Sequence, residues 1–289
     1  INEVLGNKET INCFLKNLEN IDDGNIWMIS GPKGIGKSLL VRLIAANLLN
    51  IDYKDNGIKN IFHPDLVILD KDENKKFISV YEIRSLKKLF SKTSFSGEYR
   101  VAIIDSINDL NLFGHNALLK TIEEPPKRSL IFIINHQNSY VPATIKSRCK
   151  LLYLNKLNAD EVLQVIEKTN VTLNKEELLF YSEISAGSVG DAIYFINNNS
   201  LPFYKVLCKY LINIDNFNET ETTKIINIVM EKKNNLILAF FKFINLLFNK
   251  VIKKIFLNKY LINLKKAKIR LFFLSIAKFV ILDVSISLK

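Results

Sequence analysis

ISGPKGIGKSLLV, residues 29–41, contains the full pattern G-x-x-x-x-G-K-[ST] from Gly31 to Ser38. An apolar run, residues 26–29, precedes the pattern, and an amphipathic stretch from Leu39 to Leu49 follows it. This order predicts a strand, a loop and a helix, which is the context in which the pattern binds phosphate. The alternative is a glycine-rich turn between core elements, or a loop that keeps its shape without the activity.

The residue types of this loop suit a nucleotide phosphate chain. The glycines let backbone N–H groups turn inward, Lys37 can reach the β and γ phosphates, and Ser38 can ligate Mg²⁺. The N-terminus of the following helix adds partial positive charge. The predicted nucleotide-binding residues of the loop are Gly31, Pro32, Lys33, Gly34, Ile35, Gly36, Lys37 and Ser38.

Strands and helices alternate through the first half of the chain. Short apolar runs bounded by turn residues predict further strands at 66–69, 100–105 and 130–134. Helical spacing, a capping box at Ser79 and a double proline predict helices over 7–21, 79–93 and 116–126. Alternation of this kind with a phosphate loop predicts an α/β fold with a parallel, doubly wound sheet.

Two polar residues at predicted strand ends extend the candidate site. The strand from Arg100 to Asp105 ends in a carboxylate, as a Walker B strand does, so we expect Asp105 to hold Mg²⁺ together with Ser38. Such a pattern is common by chance and gains its meaning from the preceding phosphate loop. Asn135 follows the next strand, where its amide would contact a γ-phosphate or orient water; the alternative is a turn residue.

The second half of the chain reads as helical. Helices are predicted over 158–168, 174–185 and 188–198, each with Asn or Ser at a cap position, and from Phe203 onward. We therefore expect a nucleotide-binding domain over 1–156, a small helical domain over 157–201 and a helical C-terminal domain over 202–289.

The composition predicts a globular protein of a reducing compartment. Of the 289 residues, 48% are apolar, which is enough for a sizeable core. The three cysteines lack any C-x-x-C or Cys/His spacing, so we expect neither disulfides nor a zinc site. The first residues carry no secretory pattern, and the apolar stretches 236–248 and 271–282 are too short to span a bilayer. A cytoplasmic protein without a membrane segment is the expectation.

The net charge of +11 is concentrated at the end of the chain. Residues 250–289 contain ten Lys or Arg against one acid, Asp283. This segment is either a solvated basic face or a surface that contacts nucleic-acid phosphates.

Six stretches within the first 200 residues share their pattern with a known family. They are the phosphate loop, HPDL (63–66), EIR (82–84), RVAIID (100–105), NALLKTIEEPP (116–126) and PATIKSRC (142–149). Together they resemble the AAA+ clamp-loader subunits of bacterial DNA polymerase III, and most closely those of the delta prime type. The resemblance implies a P-loop AAA+ domain, a small helical lid and an all-α collar through which subunits oligomerise.

The resemblance also implies a role for Arg148 and a set of partners. In the family, the Ser-Arg-Cys motif presents its arginine to the ATP of a neighbouring subunit, so Arg148 is expected to act as an arginine finger in trans. The alternative is that Arg148 holds a loop in place. The implied ligand is ATP with Mg²⁺. The implied partners are gamma/tau and delta subunits in a hetero-oligomeric ring, and through them the sliding clamp and primer-template DNA.

Two departures from the family indicate weak hydrolysis. Ser106 follows Asp105 where motor subunits have a glutamate that orients water, and serine is a poor base near neutral pH. The lid reads Gly187-Ser-Val-Gly-Asp191, with Gly190 and Asp191 where a γ-phosphate-sensing arginine would fall. A clamp-loader subunit with little ATPase of its own is the leading hypothesis. The alternatives are an active gamma/tau-type motor and a DNA-binding module with a vestigial nucleotide site.

Overall fold

The computed structural model describes most of the first 212 residues and one later helical stretch. The described residues are 6–18, 25–53, 57–72, 74–91, 94–95, 99–136, 140–169, 173–212 and 239–246. They group into two compact units, the first drawn from Ile1–Thr172 with Ser185–Asp191 and the second from Leu173–Ile184 with Ala192–Lys289. The predicted domain boundaries at 156 and 201 stay predictions.

The first unit is built on five parallel strands that alternate with helices. The strands are β1 (Asn25–Gly31), β2 (Leu66–Asp70), β3 (Arg100–Asp105), β4 (Ser129–His136) and β5 (Lys150–Tyr153). The helices are α1 (Lys8–Asn17), α2 (Lys37–Leu48), α3 (Val80–Ser91), α4 (Leu112–Ile122), α5 (Ala143–Lys146) and α6 (Ala159–Lys168), with 3-10 turns at Ile58–Asn60 and Ile107–Asp109. This confirms the predicted α/β fold.

The strand order is β2-β3-β4-β1-β5, with every neighbouring pair parallel. Because all strands run in one direction, their carboxyl ends meet at one edge of the sheet. The register places Asp70 beside Asp105 and Ser30 beside Asn135 at that edge. Polar residues from four strand ends are thus brought to the loop that follows β1.

Apolar side chains cover both faces of the sheet. On one face, α3 and α4 pack Ile83, Leu86 and Leu118 against strand residues such as Ile104 and Ile131, all completely buried. On the other face, the ring of Phe14 in α1 packs edge-on against Trp27 and Phe132, with ring centroids 4.7 and 6.3 Å apart. Burial of each large side chain contributes about 2 kcal/mol. Because both faces of the sheet are buried, the central strands are continuous apolar runs in the sequence.

Most predicted elements are confirmed, and the differences have local causes. The capping box that opens α3 forms as predicted, with reciprocal bonds between Ser79 and Glu82. Helix α4 begins at Leu112, earlier than predicted, because the Asn111 side chain accepts from the N–H of Gly114 at 2.9 Å and caps the helix there. β5 and α5 were not predicted, since four residues are too few to show a periodicity.

The second unit contains α7 (Lys175–Ile184), α9 (Leu201–Ile212), the helical residues 239–246 and, from Ala192, α8 (Val189–Asn197). Aromatic rings form its core: Phe195 and Tyr204 lie 4.7 and 5.1 Å from Phe243, measured between ring centroids. The predicted helices over 158–168, 174–185 and 188–198 are confirmed by α6, α7 and α8.

Several predictions fall outside the described residues. These are the turn at 96–98, the apolar stretch 271–282 and the basic segment 250–289. Among the helices that the structure does describe, none has the length and apolar character needed to cross a membrane.

Candidate nucleotide-binding site

The phosphate loop connects β1 to α2 and turns through Gly34 and Gly36, whose φ angles are +82° and +94°. Lys37, the first residue of α2, is only 3% exposed. Its Nζ donates to the carbonyl oxygens of Gly31 at 2.8 Å and Pro32 at 2.5 Å. Burial lowers the pKa of Lys37 to about 8, with Asp105 opposing and Lys33 adding to that shift. The lysine is therefore held inside its own loop, at the N-terminus of a helix, where an anion is favoured.

The two predicted Mg²⁺ ligands lie side by side. The Ser38 hydroxyl donates to Oδ2 of Asp105 across 2.5 Å, which joins the start of α2 to the end of β3. A hydroxyl and a carboxylate are the hard oxygen donors that Mg²⁺ prefers, so this pair fits the ion that accompanies a nucleotide. Bound there, Mg²⁺ would neutralise phosphate charge. In the described part of the chain, no three His, Cys, Asp or Glu side chains cluster to hold a metal ion.

Arg42 belongs to the site and was missed from the sequence. It follows Ser38 by one helical turn, is 8% exposed, and its Nε donates to the Ser38 hydroxyl at 3.1 Å. Its terminal nitrogens reach the Lys59 carbonyl at 3.1 Å and Asp70 Oδ2 at 3.2 Å. The available signal was a basic residue four positions after Ser38, on the same helix face.

Ser106 occupies the position at which motor subunits of the family have a water-orienting glutamate. It is 1% exposed, and its hydroxyl donates to Oδ2 of Asp109 at 2.9 Å. Asp109 in turn lies 3.6 Å from the Lys71 ammonium. The Ser106 hydroxyl is thus committed to a local turn, and serine is in any case a poor base near neutral pH.

Asn135 lies in β4 rather than in a turn. It is buried, and its Nδ2 donates at 3.2 Å to the hydroxyl of Ser30, which lies near the end of β1, just before the phosphate loop. Both residues line a cleft of about 610 Å³ that also touches Gly31 and Pro32. Next to Asn135, burial lowers the pKa of His136, and the charges of Lys37 and Lys33 lower it further. Burial and the two lysines thus disfavour the charged imidazolium, while Asp105 and Asp109 oppose that pKa shift.

The start of α8 contacts the phosphate loop directly. The N–H of Gly190 donates to the Gly34 carbonyl at 2.8 Å, and the Ser188 hydroxyl donates to the Lys33 carbonyl at 3.2 Å. A Cβ at Gly190 would lie 3.0 Å from the Gly34 Cα, so a larger residue does not fit without movement. At position 190, backbone thus occupies the space next to the loop.

Arg148 lies in a different environment, in the turn between α5 and β5. Its side chain is 37% exposed; it donates to the Thr144 carbonyl at 2.9 Å and pairs with Glu123 at 3.4 Å. The neighbouring Cys149 donates to the Ile145 carbonyl, and burial raises the pKa of its thiol to about 12. A surface ion pair of this kind is worth less than about 1 kcal/mol, so Arg148 is easily redirected to a stronger anion.

The sheet order, the phosphate loop after β1, the carboxylate that ends β3 and the helix that contacts the loop define a P-loop NTPase fold of the AAA+ class. The chain belongs to the family described as DNA polymerase III, delta subunit, which matches residues 6–158, more than half of the 289. The predicted resemblance to the clamp-loader subunits of this polymerase is confirmed.

Individual relatives include two subunit types. The DNA polymerase III subunit gamma of Buchnera aphidicola subsp. Schizaphis graminum is 29% identical over 67% of this chain and 55% of its own length. The subunit delta' of Buchnera aphidicola subsp. Acyrthosiphon pisum is 29% identical over 71% and 65%. The subunit delta' of Pseudomonas aeruginosa is 33% identical over 43% and 40%. The chain thus spans less than two thirds of each of these relatives, and gamma and delta' types match at similar identity.

Proposed function

We propose that this chain is a clamp-loader subunit of the delta prime type, which holds ATP with Mg²⁺, hydrolyses it little, and completes the ATP site of a neighbouring subunit. The observation that carries the proposal is the combination of an intact phosphate loop with a buried Ser106 that donates to Asp109 at 2.9 Å. Loop, lysine and metal ligands serve binding, whereas the position that would activate water holds a residue unsuited to it.

Binding would use the residues gathered around the loop. The backbone N–H groups from Gly31 to Ser38 would surround the phosphates, and the Lys37 ammonium would exchange its carbonyl partners for phosphate oxygens. Ser38 and Asp105 would hold Mg²⁺. The Asn135 amide would contact the γ-phosphate from the end of β4.

Arg148 is assigned to a neighbouring ATP site. A guanidinium has five N–H donors, and the bonds of Arg148 to Thr144 and Glu123, both within the described residues, use two of them. The remaining donors and the half-exposed position support delivery of a planar, permanently charged group to a γ-phosphate across a subunit interface. The alternative, that Arg148 only holds its turn in place, is left to experiment.

The wider assignment follows from the family. The chain would assemble with gamma/tau and delta subunits through its helical C-terminal region, and ATP-driven assembly would place a sliding clamp on primer-template DNA in the cytoplasm. Segment 250–289, with ten basic residues, would then be either part of the collar or a contact to DNA phosphates.

The decisive experiment is equilibrium ATP binding to the purified chain, with ATPase measured in the same sample. We expect ATP to bind and turnover to stay far below about 1 s⁻¹, the low end of ordinary enzymes. Addition of partner subunits should raise turnover. A chain that reaches that rate without partners would instead be a gamma/tau-type motor, the second candidate, since relatives of the gamma type match as well as those of the delta' type.

A further inference from the structure

Arg42 is the charged side chain whose role the proposed function leaves open. It projects from α2 into a space closed by the 3-10 turn at Ile58–Asn60 and by the ends of β2 and β3. Its guanidinium meets the Ser38 hydroxyl, the Lys59 carbonyl and the carboxylates of Asp70 and Asp105. Burial of an arginine is costly unless it is paired and bonded, and here each of the three nitrogens has a partner.

The Ser38 hydroxyl has a limited number of bonding positions. A serine hydroxyl offers one hydrogen and two lone pairs. Its hydrogen goes to Asp105 at 2.5 Å, and Arg42 Nε donates to one lone pair at 3.1 Å. One lone pair therefore remains, and its direction is fixed by the other two bonds.

Carboxylate oxygens near Arg42 are hard donors of the kind that Mg²⁺ prefers. Two carboxylates, Asp70 and Asp105, lie within 3.2 and 3.7 Å of one guanidinium nitrogen. The two carboxylates share the charge of Arg42, and Asp105 also interacts with the ammonium of Lys37.

We propose that Arg42 is a positioning residue for the nucleotide-bound Mg²⁺: it orients the Ser38 hydroxyl and the Asp105 carboxylate so that one oxygen lone pair of each faces the metal. This inference rests on the proposed binding of ATP with Mg²⁺. Groups that orient metal ligands in this way commonly change metal affinity about 10- to 100-fold when they are replaced.

The test is a titration of Mg²⁺ into the chain with ATP, which gives the Mg²⁺ concentration at half-maximal tightening of ATP binding. Arg42→Lys keeps the charge but loses the planar fork of donors. We expect this midpoint to rise about tenfold, while ATP affinity in EDTA changes less than about twofold, because the phosphate-binding backbone is untouched. Thermal unfolding of each variant is measured alongside.

Arg100→Lys is the matched control. Arg100 begins β3, the strand that ends in Asp105, and its guanidinium donates to the carbonyls of Phe90 and Lys127. The same chemical change there should lower stability without moving the Mg²⁺ midpoint. Arg42→Gln, which keeps an N–H donor but no charge, replaces Arg42→Lys if that variant does not fold, and it should raise the midpoint at least as much.

Each outcome decides the matter. A raised midpoint for the Arg42 variants, with Arg100→Lys unchanged, supports the assignment. A midpoint within about twofold of the parent chain, with ATP still bound, overturns the assignment alone and leaves Arg42 a purely structural residue. Absence of ATP binding by the parent chain overturns the proposed nucleotide site and this assignment together.

Discussion

The phosphate loop and the turn that contains Arg148 each carry a basic side chain, but the first side chain is buried and the second is exposed. Lys37 is 3% exposed and donates to two carbonyls of its own loop. Arg148 is 37% exposed and is held by the Thr144 carbonyl of α5 and by the half-exposed carboxylate of Glu123. The first is enclosed by the structure that would bind its ligand, whereas the second faces outward.

This difference indicates how binding and catalysis are divided in the proposed assembly. An enclosed lysine exchanges two neutral carbonyl partners for charged phosphate oxygens, to which its hydrogen bonds are stronger. An exposed arginine loses only a weak ion pair when it meets a phosphate of another subunit. In the proposal, the chain's own site holds a nucleotide, and its outward arginine contacts the nucleotide of a neighbouring subunit.

Replacement of Arg148 should have the largest effect. Arg148→Ala is expected to lower the ATPase of the assembled complex by at least about 10²-fold, because an arginine finger stabilises charge that develops in the transition state. ATP binding to the isolated chain should not change. Steady-state ATPase of the reconstituted complex measures the effect.

Arg128→Ala is the control for loss of a cation elsewhere in the first unit, and it should leave the ATPase near its parent value. Arg148→Lys should recover little, since an ammonium lacks the planar fork. Normal hydrolysis by a complex that carries Arg148→Ala would remove the trans role and leave Arg148 as a residue that holds its turn.

Replacement of Lys37 should have a smaller effect, confined to this chain's own nucleotide. Lys37→Ala removes charged hydrogen bonds worth about 2 kcal/mol, so ATP affinity should fall roughly 30-fold. Clamp loading by the complex should stay largely active, because the working ATP sites lie on other subunits in the proposal. Equilibrium binding and a loading assay on primed DNA measure the two quantities. Complete loss of loading with assembly intact would show that this site is a working motor.

The contrast between the two regions could be predicted only in part from sequence. The G-x-x-x-x-G-K-[ST] pattern specifies the loop because its geometry depends on adjacent residues. The meeting of Ser38 with Asp105 also follows, since parallel strands end at one edge. Arg42 could not be placed, because its partners come from the relative registry of β2 and β3, where Asp70 lies beside Asp105. That registry is set by packing of the whole sheet.

The lid gives a second example of the same limit. The sequence shows Gly190 and Asp191 where the family's arginine would fall, but only the structure shows that the N–H of Gly190 donates to the Gly34 carbonyl at 2.8 Å. The four-residue elements β5 and α5 likewise depend on neighbours: β5 is a strand because it pairs with β1, from Lys150 beside Trp27 to Tyr153 beside Ser30. Contacts distant in sequence carry no local periodicity.

The contact between lid and phosphate loop provides the smallest predicted effect. Gly34 and Gly36 both have φ near +90°, so alanine at either position costs about 1–2 kcal/mol of backbone strain. A Cβ at Gly34 would also lie 2.2 Å from the Ser188 hydroxyl oxygen, whereas a Cβ at Gly36 meets nothing within 4 Å. Gly34→Ala must therefore displace Ser188 and lose its bond to Lys33, which adds about 1 kcal/mol.

Chemical denaturation measures this difference. The free energy of unfolding should fall by about 1 kcal/mol more for Gly34→Ala than for Gly36→Ala. In a Ser188→Ala background the two alanine variants should become nearly equal, since the hydroxyl that the new Cβ displaces is gone and the two changes are no longer independent. Equal destabilisation in the parent chain would show that the bond from Ser188 to Lys33 contributes nothing to stability. The contact between α8 and the phosphate loop would then depend on the backbone bond from Gly190 to Gly34.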